Sequence, residues 1–101
     1  MKLQHCSTLV VTALALICAG AHAQPLSGRD VAAACAACHG TEGRARGAIP
    51  ALAGRPKDDT ATKVREFRDG KRPSMVMQQL AKGYTDAQIE AAAAYFAAQK
   101  P

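Results

Sequence analysis

The sequence predicts an all-α protein of about four helices with one long irregular loop. Three observations point there. Apolar residues recur at helical spacing in separate stretches that open on capping residues, and glycine follows all but the last of them. No stretch alternates apolar and polar residues as a strand would. Between the first and second helical patterns, Gly40 to Pro56 contains Gly40, Gly43, Gly47, Gly54, Pro50 and Pro56, a composition that suits a compact loop and no regular element.

The elements follow in chain order. Residues 1–23 are read as an export segment cleaved after Ala23. Lys2 and His5 make a weakly basic start, Leu9 to Ala19 is apolar, and Ala21-His22-Ala23 is a small-x-small cleavage site. About eleven apolar residues are too few to span a bilayer of roughly 30 Å, so no stable membrane anchor is expected. Cys18 raises a lipoprotein alternative, for which Ile17 directly before it is a poor residue. The domain is then residues 24–101.

Within it, Ser27 can cap a helix whose third residue, Asp30, sets a carboxylate near the positive end. Val31, Ala34, Cys35 and Cys38 fall at i, i+3, i+4 and i+7, which puts the first helix at about 28–39. Asp58-Asp59-Thr60 starts a second helix and Gly70 stops it, with Val64 and Phe67 inward and Lys63, Arg65, Glu66 and Arg68 in solvent. Ser74 can cap a short third helix running to about Lys82, ended by Gly83. The last helix opens on the capping box Thr85-x-x-Gln88, with Tyr84 and Ile89 as its hydrophobic staple. Its stripe Ile89, Ala92, Ala93 and Phe96 contains small residues that let another helix cross closely, and the first helix is the expected neighbour.

The chemistry concentrates in Cys35-Ala36-Ala37-Cys38-His39. Two thiols followed at once by an imidazole is the spacing that attaches a c-type haem, with both sulfurs joined to the porphyrin vinyls and the ring nitrogen on the iron. At about 100° per residue, Cys38 lies about 60° to one side of Cys35 and His39 about 40° to the other. One flat macrocycle can therefore be held at three points. A zinc site would want four ligands, and residues 24–101 offer only Cys35, Cys38 and His39. A thioredoxin-like dithiol would need a βαβ pattern that the chain lacks.

After cleavage, His39 is the only histidine, which leaves Met75 and Met77 as candidates for the second axial position. Residues two apart on a helix point about 200° away from each other, so both cannot face the iron. Met77 shares its face with Leu80, Ala81 and Tyr84, whereas Met75 shares its face with Gln78, Gln79 and Lys82. Met77 is thus the favoured ligand; the alternative is that it fills the core and the iron is open or otherwise bound. Ile49 and Leu52, the large apolar residues of the loop, are expected against the haem. Large side chains are scarce otherwise, with alanine making up much of the apolar content. The haem-free chain is therefore expected to be largely unfolded.

The CxxCHG at Cys35 to Gly40, the stretch Ile49-Pro50-Ala51-Leu52-Ala53-Gly54 and the closing Ala94-Tyr95-Phe96 resemble the class I cytochromes c. More narrowly, Arg72-Pro73 through Met77 and Ala81-Lys82-Gly83-Tyr84-Thr85-Asp86 resemble the cytochrome subunit of flavocytochrome c sulfide dehydrogenase. The resemblance implies that Met77 is the axial methionine. It also implies that the Pro50 carbonyl receives the Nδ1–H of the ligating His39, a bond that fixes the ring and tunes its basicity. The partner it implies is an FAD-containing flavoprotein that oxidises sulfide and passes electrons to the haem. Some members carry two haem domains; with one CxxCH this chain can only be a monohaem form, either a subunit or a free-standing carrier.

The expected function is transfer of single electrons through a His/Met-ligated haem in the periplasm. A five-coordinate haem enzyme or gas sensor is the alternative from another class. The chain carries a formal net charge of +5. Arg44, Arg46, Arg55, Lys57, Lys71, Arg72 and Lys82 fall in loops or near helix ends. They are either a positive rim that steers an acidic redox partner or a merely solvated surface. The charge is modest for a nucleic-acid binder, and none is expected as a partner.

Overall fold

The computed structural model describes residues 24–101; the export segment expected over 1–23 lies outside the described residues. Four helices follow in order: α1 (Gly28–His39), α2 (Lys57–Arg68), α3 (Met77–Ala81) and α4 (Asp86–Ala97), with a 3-10 turn at Thr41–Gly43 between the first two. No strand occurs among the described residues.

Caps set the two helices that matter most for packing. Ser27 Oγ accepts from the Asp30 amide at 3.2 Å while the Asp30 carboxylate accepts from the Ser27 amide at 3.2 Å. Thr85 and Gln88 make the same reciprocal pair, at 3.2 and 3.0 Å. Each box satisfies two amides that a helix end leaves without partners.

Helix α1 crosses α4, and Val31, Ala32, Ala92 and Phe96 are buried between them with Cys35, Leu52, Tyr84 and Tyr95 packed around. The approach is close. A Cβ added at Gly28 would meet the Ala91 carbonyl oxygen at 2.4 Å. A second cluster, Ala61, Ile89 and Ala93 with Val64, joins α2 to α4, and Tyr84 touches both clusters. Since α3 packs on α2, the order of packing is α1–α4–α2–α3.

Two elements start elsewhere than the sequence suggests. Helix α2 begins at Lys57 with Pro56 at its N-cap, so Asp58 and Asp59 lie inside the first turn, where their charge suits the helix dipole. It ends at Arg68, just before Gly70, whose φ of 74° takes the chain out of the helix. Helix α3 begins at Met77 and not directly after Ser74. The Ser74 hydroxyl does accept from the Met77 amide at 2.8 Å, but Met75 and Val76 form a bend before the first helical turn.

The side chains of α2 also depart from expectation. Arg65 and Arg68 were expected in solvent; both reach across to α4. Arg68 Nη1 lies 2.8 Å from Asp86, Arg65 Nε lies 3.3 Å from the same carboxylate, and Arg65 also pairs with Glu90. Lys57 closes on Glu90 from the start of α2 at 2.8 Å. Periodicity had put these cations on the outer face without showing that the acids of α4 border it.

Candidate functional site

Cys35, Cys38 and His39 sit on the last turn of α1, where Gly40 ends the helix with a φ of 82°. At Gly40 a Cβ would meet the Ala45 amide nitrogen at 2.8 Å, so the turn out of the helix is open to glycine alone. The chain then doubles back. The Gly43 carbonyl accepts from the amides of Leu52 at 2.7 Å and Ala53 at 3.1 Å, and Gly54 donates to the Phe96 carbonyl at 2.9 Å. These bonds hold the loop against α4 and fix the stretch from Ile49 to Gly54.

That fixation sets the histidine. His39 Nδ1 lies 2.7 Å from the carbonyl oxygen of Pro50. A carbonyl only accepts, so Nδ1 carries the hydrogen and Nε2 keeps its lone pair as the nitrogen free to bind a metal. Arg55 Nε donates to the neighbouring Ala51 carbonyl at 2.6 Å, which ties the same stretch of loop one residue on.

The two cysteines are not joined to each other. Cys38 is exposed, and Cys35 is half-buried with its thiol 3.9 Å from the Val31 carbonyl. Burial pushes the Cys35 thiol above its ordinary pKa. No strand occurs among the described residues, so the βαβ frame that a thioredoxin-like dithiol needs is not found there. A cleft of about 520 Å³ opens beside Cys38, bordered by Ala37, Arg46, Ala48 and Ile49. It marks the Cys38 edge of the site and includes neither His39 nor Met77.

Met75 and Met77 are separated sharply, though not by the helical geometry that the sequence suggested. Met75 stands on the bend and is 94% exposed, while Met77 opens α3 and is half-buried. Leu80, expected inward with Met77, is half exposed, as is Ile49. Ala81 and Tyr84 of that face do turn inward. Leu52 packs on the α1–α4 cluster.

His39 and Met77 thus stand on the two outer members of the helix packing order. The apolar surfaces of Ile49 and Leu80 are open to a flat apolar group. The donors present are an imidazole nitrogen with a free lone pair, a thioether and two thiols on one helical turn. This donor set is of the kind a covalently held haem would need: Cys35 and Cys38 could supply the thioethers, and His39 and Met77 are the side chains that could bind its iron. Among the described residues no group of three or more His, Cys, Asp or Glu is gathered closely enough to hold a bare metal ion.

The basic side chains sort into two classes. Arg44 pairs with Glu42 and donates to the Lys100 carbonyl; Arg55 lies 3.9 Å from Asp59, Lys57 pairs with Glu90, and Arg72 lies 2.6 Å from Glu66. Arg46, Lys71 and Lys82 have no acid within ion-pair distance among the described residues. Charge counting along the sequence could not make that division.

Comparison with known proteins agrees with the donor set. Residues 23–96 match the family model described as cytochrome c oxidase, cbb3-type, subunit III. The chain is 39% identical over 69 residues to the cytochrome subunit of sulfide dehydrogenase of Chlorobaculum tepidum, covering 68% of this chain and 63% of that protein. It is 43% identical over 72 residues to the thiosulfate dehydrogenase electron acceptor of Thiomonas intermedia, covering 69% of this chain and 33% of the relative. Cytochrome c-554(548) of Halomonas halodenitrificans is 33% identical over 78 residues, which is 73% of this chain and 94% of that one. The chain thus spans less than two thirds of the first two relatives and nearly all of the third. A haem c is the cofactor this kinship implies. With a CxxCH on the last turn of α1, an all-helical frame and these relatives, the chain belongs to the class I cytochromes c.

Proposed function

We propose that this chain is an exported, monohaem electron-transfer protein, cut after Ala23 and working in the periplasm. Cys35 and Cys38 hold the haem, and His39 and Met77 ligate its iron. When bound, the haem supplies a metal that takes up and gives back one electron. The observation that carries the reading is the His39–Pro50 bond, which leaves Nε2 of the imidazole next to two thiols as the ligating atom. Pro50 fixes the ring plane, and Met77, held at its amide by Ser74, supplies a thioether from a different element. If His39 and Met77 both held the iron, no position would remain on it for an outside ligand. That favours electron transfer over a haem enzyme or gas sensor.

The proposed donor is an FAD-containing sulfide dehydrogenase flavoprotein, by similarity to the Chlorobaculum subunit. Purification from the native periplasm without high salt tests it: a flavin subunit should co-elute. Elution as a lone red protein would favour the free-standing carrier. Carbon monoxide added to the reduced protein tests the ligation. It should bind slowly or not at all, and rapid binding would point to a five-coordinate iron.

No helix among the described residues is long and apolar enough to cross a membrane. On the proposed cleavage after Ala23, the mature protein should have a mass that matches a chain starting at Gln24 plus one haem.

A further inference from the structure

Helix α3, which carries Met77, is poorly held by its own burial. At five residues it is too short to persist alone. Within it only Ala81 is buried, Met77 is half-buried and Leu80 is half exposed. Its main neighbour is α2. Where the thioether stands is therefore set by how the link from α2, residues 69–76, is fastened.

The fastening converges on Arg72. Its amide donates to the Glu66 carbonyl at 3.2 Å, beside the Lys71 amide at 2.8 Å. Its Nε at 2.9 Å and Nη2 at 2.6 Å both donate to one oxygen of the Glu66 carboxylate. The guanidinium carbon also lies 5.6 Å from the centre of the Phe67 ring. An exposed ion pair alone holds weakly, but here main chain, side chain and ring all act on the last turn of α2. Past this clamp the chain has little slack. Pro73 has a fixed φ, and the Ser74 hydroxyl accepts from the Met77 amide at 2.8 Å. The Gln78 side-chain amide lies 3.5 Å from where a Gly70 Cβ would stand, so the start of α3 sits against the turn that ends α2. Met75 and Val76, between clamp and helix, are exposed and add no burial to hold it.

We infer that Arg72 is a positioning residue for the Met77 thioether: its clamp on Glu66 and Phe67 keeps α3 against α2 and so keeps the sulfur in place for the iron. The inference rests on the His39 and Met77 ligation proposed above. Arginine suits the position because a planar guanidinium gives two N–H groups to one acceptor and still lies over a ring, which a lysine ammonium does not. When the clamp opens, α3 leaves α2 as a local unit while the α1–α4 cluster stays closed. Met77 leaves with it, and its coordination position becomes open to an outside ligand. The apparent affinity for such a ligand then reports the open fraction.

The test uses the oxidised, haem-loaded protein with imidazole as the outside ligand, followed by absorbance. Arg72→Ala should bind imidazole about tenfold more tightly than the wild type. Glu66→Gln should shift the affinity in the same direction, and the double variant should go no further than Arg72→Ala alone, since both changes remove one contact. Lys57→Gln breaks an ion pair at the other end of α2, and Gly28→Ala strains the α1–α4 crossing. Both should stay within about twofold of the wild type, because neither touches the clamp. Wild-type affinity in both Arg72→Ala and Glu66→Gln overturns the inference. So do fully additive shifts in the double variant, or an equal shift in Lys57→Gln or Gly28→Ala. Met77→Ala separates the two claims. A wild type that lacks the methionine–iron charge-transfer band and binds imidazole as tightly as Met77→Ala refutes the ligation reading. A band that is present, with imidazole binding tightened in Met77→Ala but in neither clamp variant, refutes only the role of Arg72.

Discussion

Nδ1 of His39 and the carbonyl oxygen of Pro50 lie 2.7 Å apart across eleven residues of sequence. The acceptor belongs to the backbone, so its position depends on how rigidly the loop is held. Pro50→Ala keeps the carbonyl but frees φ at that residue. A looser bond makes the imidazole a weaker electron donor to the iron, which disfavours the oxidised state. The expected outcome is full haem attachment with a higher midpoint potential, read by redox titration. An unchanged potential would show that the loop keeps its place without the ring of Pro50.

The two methionines should separate in the spectrum of the oxidised protein. The weak charge-transfer band assigned to methionine–iron bonding should vanish in Met77→Ala and persist in Met75→Ala. The exposure of Met75 predicts no loss of thermal stability in the second variant, since a side chain that exposed buries almost nothing.

Gly28 should tolerate no side chain. A methyl there would lie 2.4 Å from a backbone oxygen of α4, and neither helix can move without opening the Val31–Phe96 cluster. Gly28→Ala, ordinarily neutral or favourable near a helix start, should cost about 1–3 kcal/mol in urea unfolding. Gly83, whose φ is not positive and whose Cβ position meets nothing nearer than the Leu80 carbonyl oxygen at 3.4 Å, is the internal comparison for crowding.

Acid should weaken the seam between α2 and α4. Hydrogen bonds from Arg68 and then Arg65 hold the Asp86 carboxyl below the usual range, and those from Lys57 and Arg65 do the same for Glu90. A carboxyl whose pKa is lower folded than unfolded contributes stability above its unfolded value and loses it as pH falls through the folded one. The thermal midpoint should therefore decline as pH drops below about 4.5, the ordinary carboxylate range. In Asp86→Asn the midpoint should start lower at neutral pH and fall less. The groups are exposed, so the effect is modest and should shrink in high salt.

What was legible in the sequence was what short-range chemistry decides. Ser27 with Asp30 and Thr85 with Gln88 announce α1 and α4 because each box closes within four residues. The CxxCH needs nothing beyond its own helical turn. The start of α3 was not legible. Ser74 caps the Met77 amide as a helix-opening serine would, yet Met75 and Val76 bend away, and that bend separates the two methionines. Arg65 and Arg68 were misplaced in solvent because their partners on α4 lie about twenty residues away, beyond the reach of any local pattern. The His39–Pro50 contact came from resemblance alone. Glycines and prolines show where a loop is, while the carbonyl it presents depends on Gly43 and Phe96 holding it.

The grip of the C-terminal end on that loop couples distant parts of the chain. Gly54 donates to Phe96, Arg44 donates to the Lys100 carbonyl, and Gly54 has no room for a Cβ because Pro101 lies against it. Fraying of the final turn of α4 and loosening of the segment that presents the Pro50 oxygen are then a single opening event. The amides of Leu52, Ala53 and Gly54 should exchange with deuterium at the pace of Ala98 and Gln99, as one cooperative unit. The far tail of the polypeptide thereby sets how long the imidazole keeps its orientation.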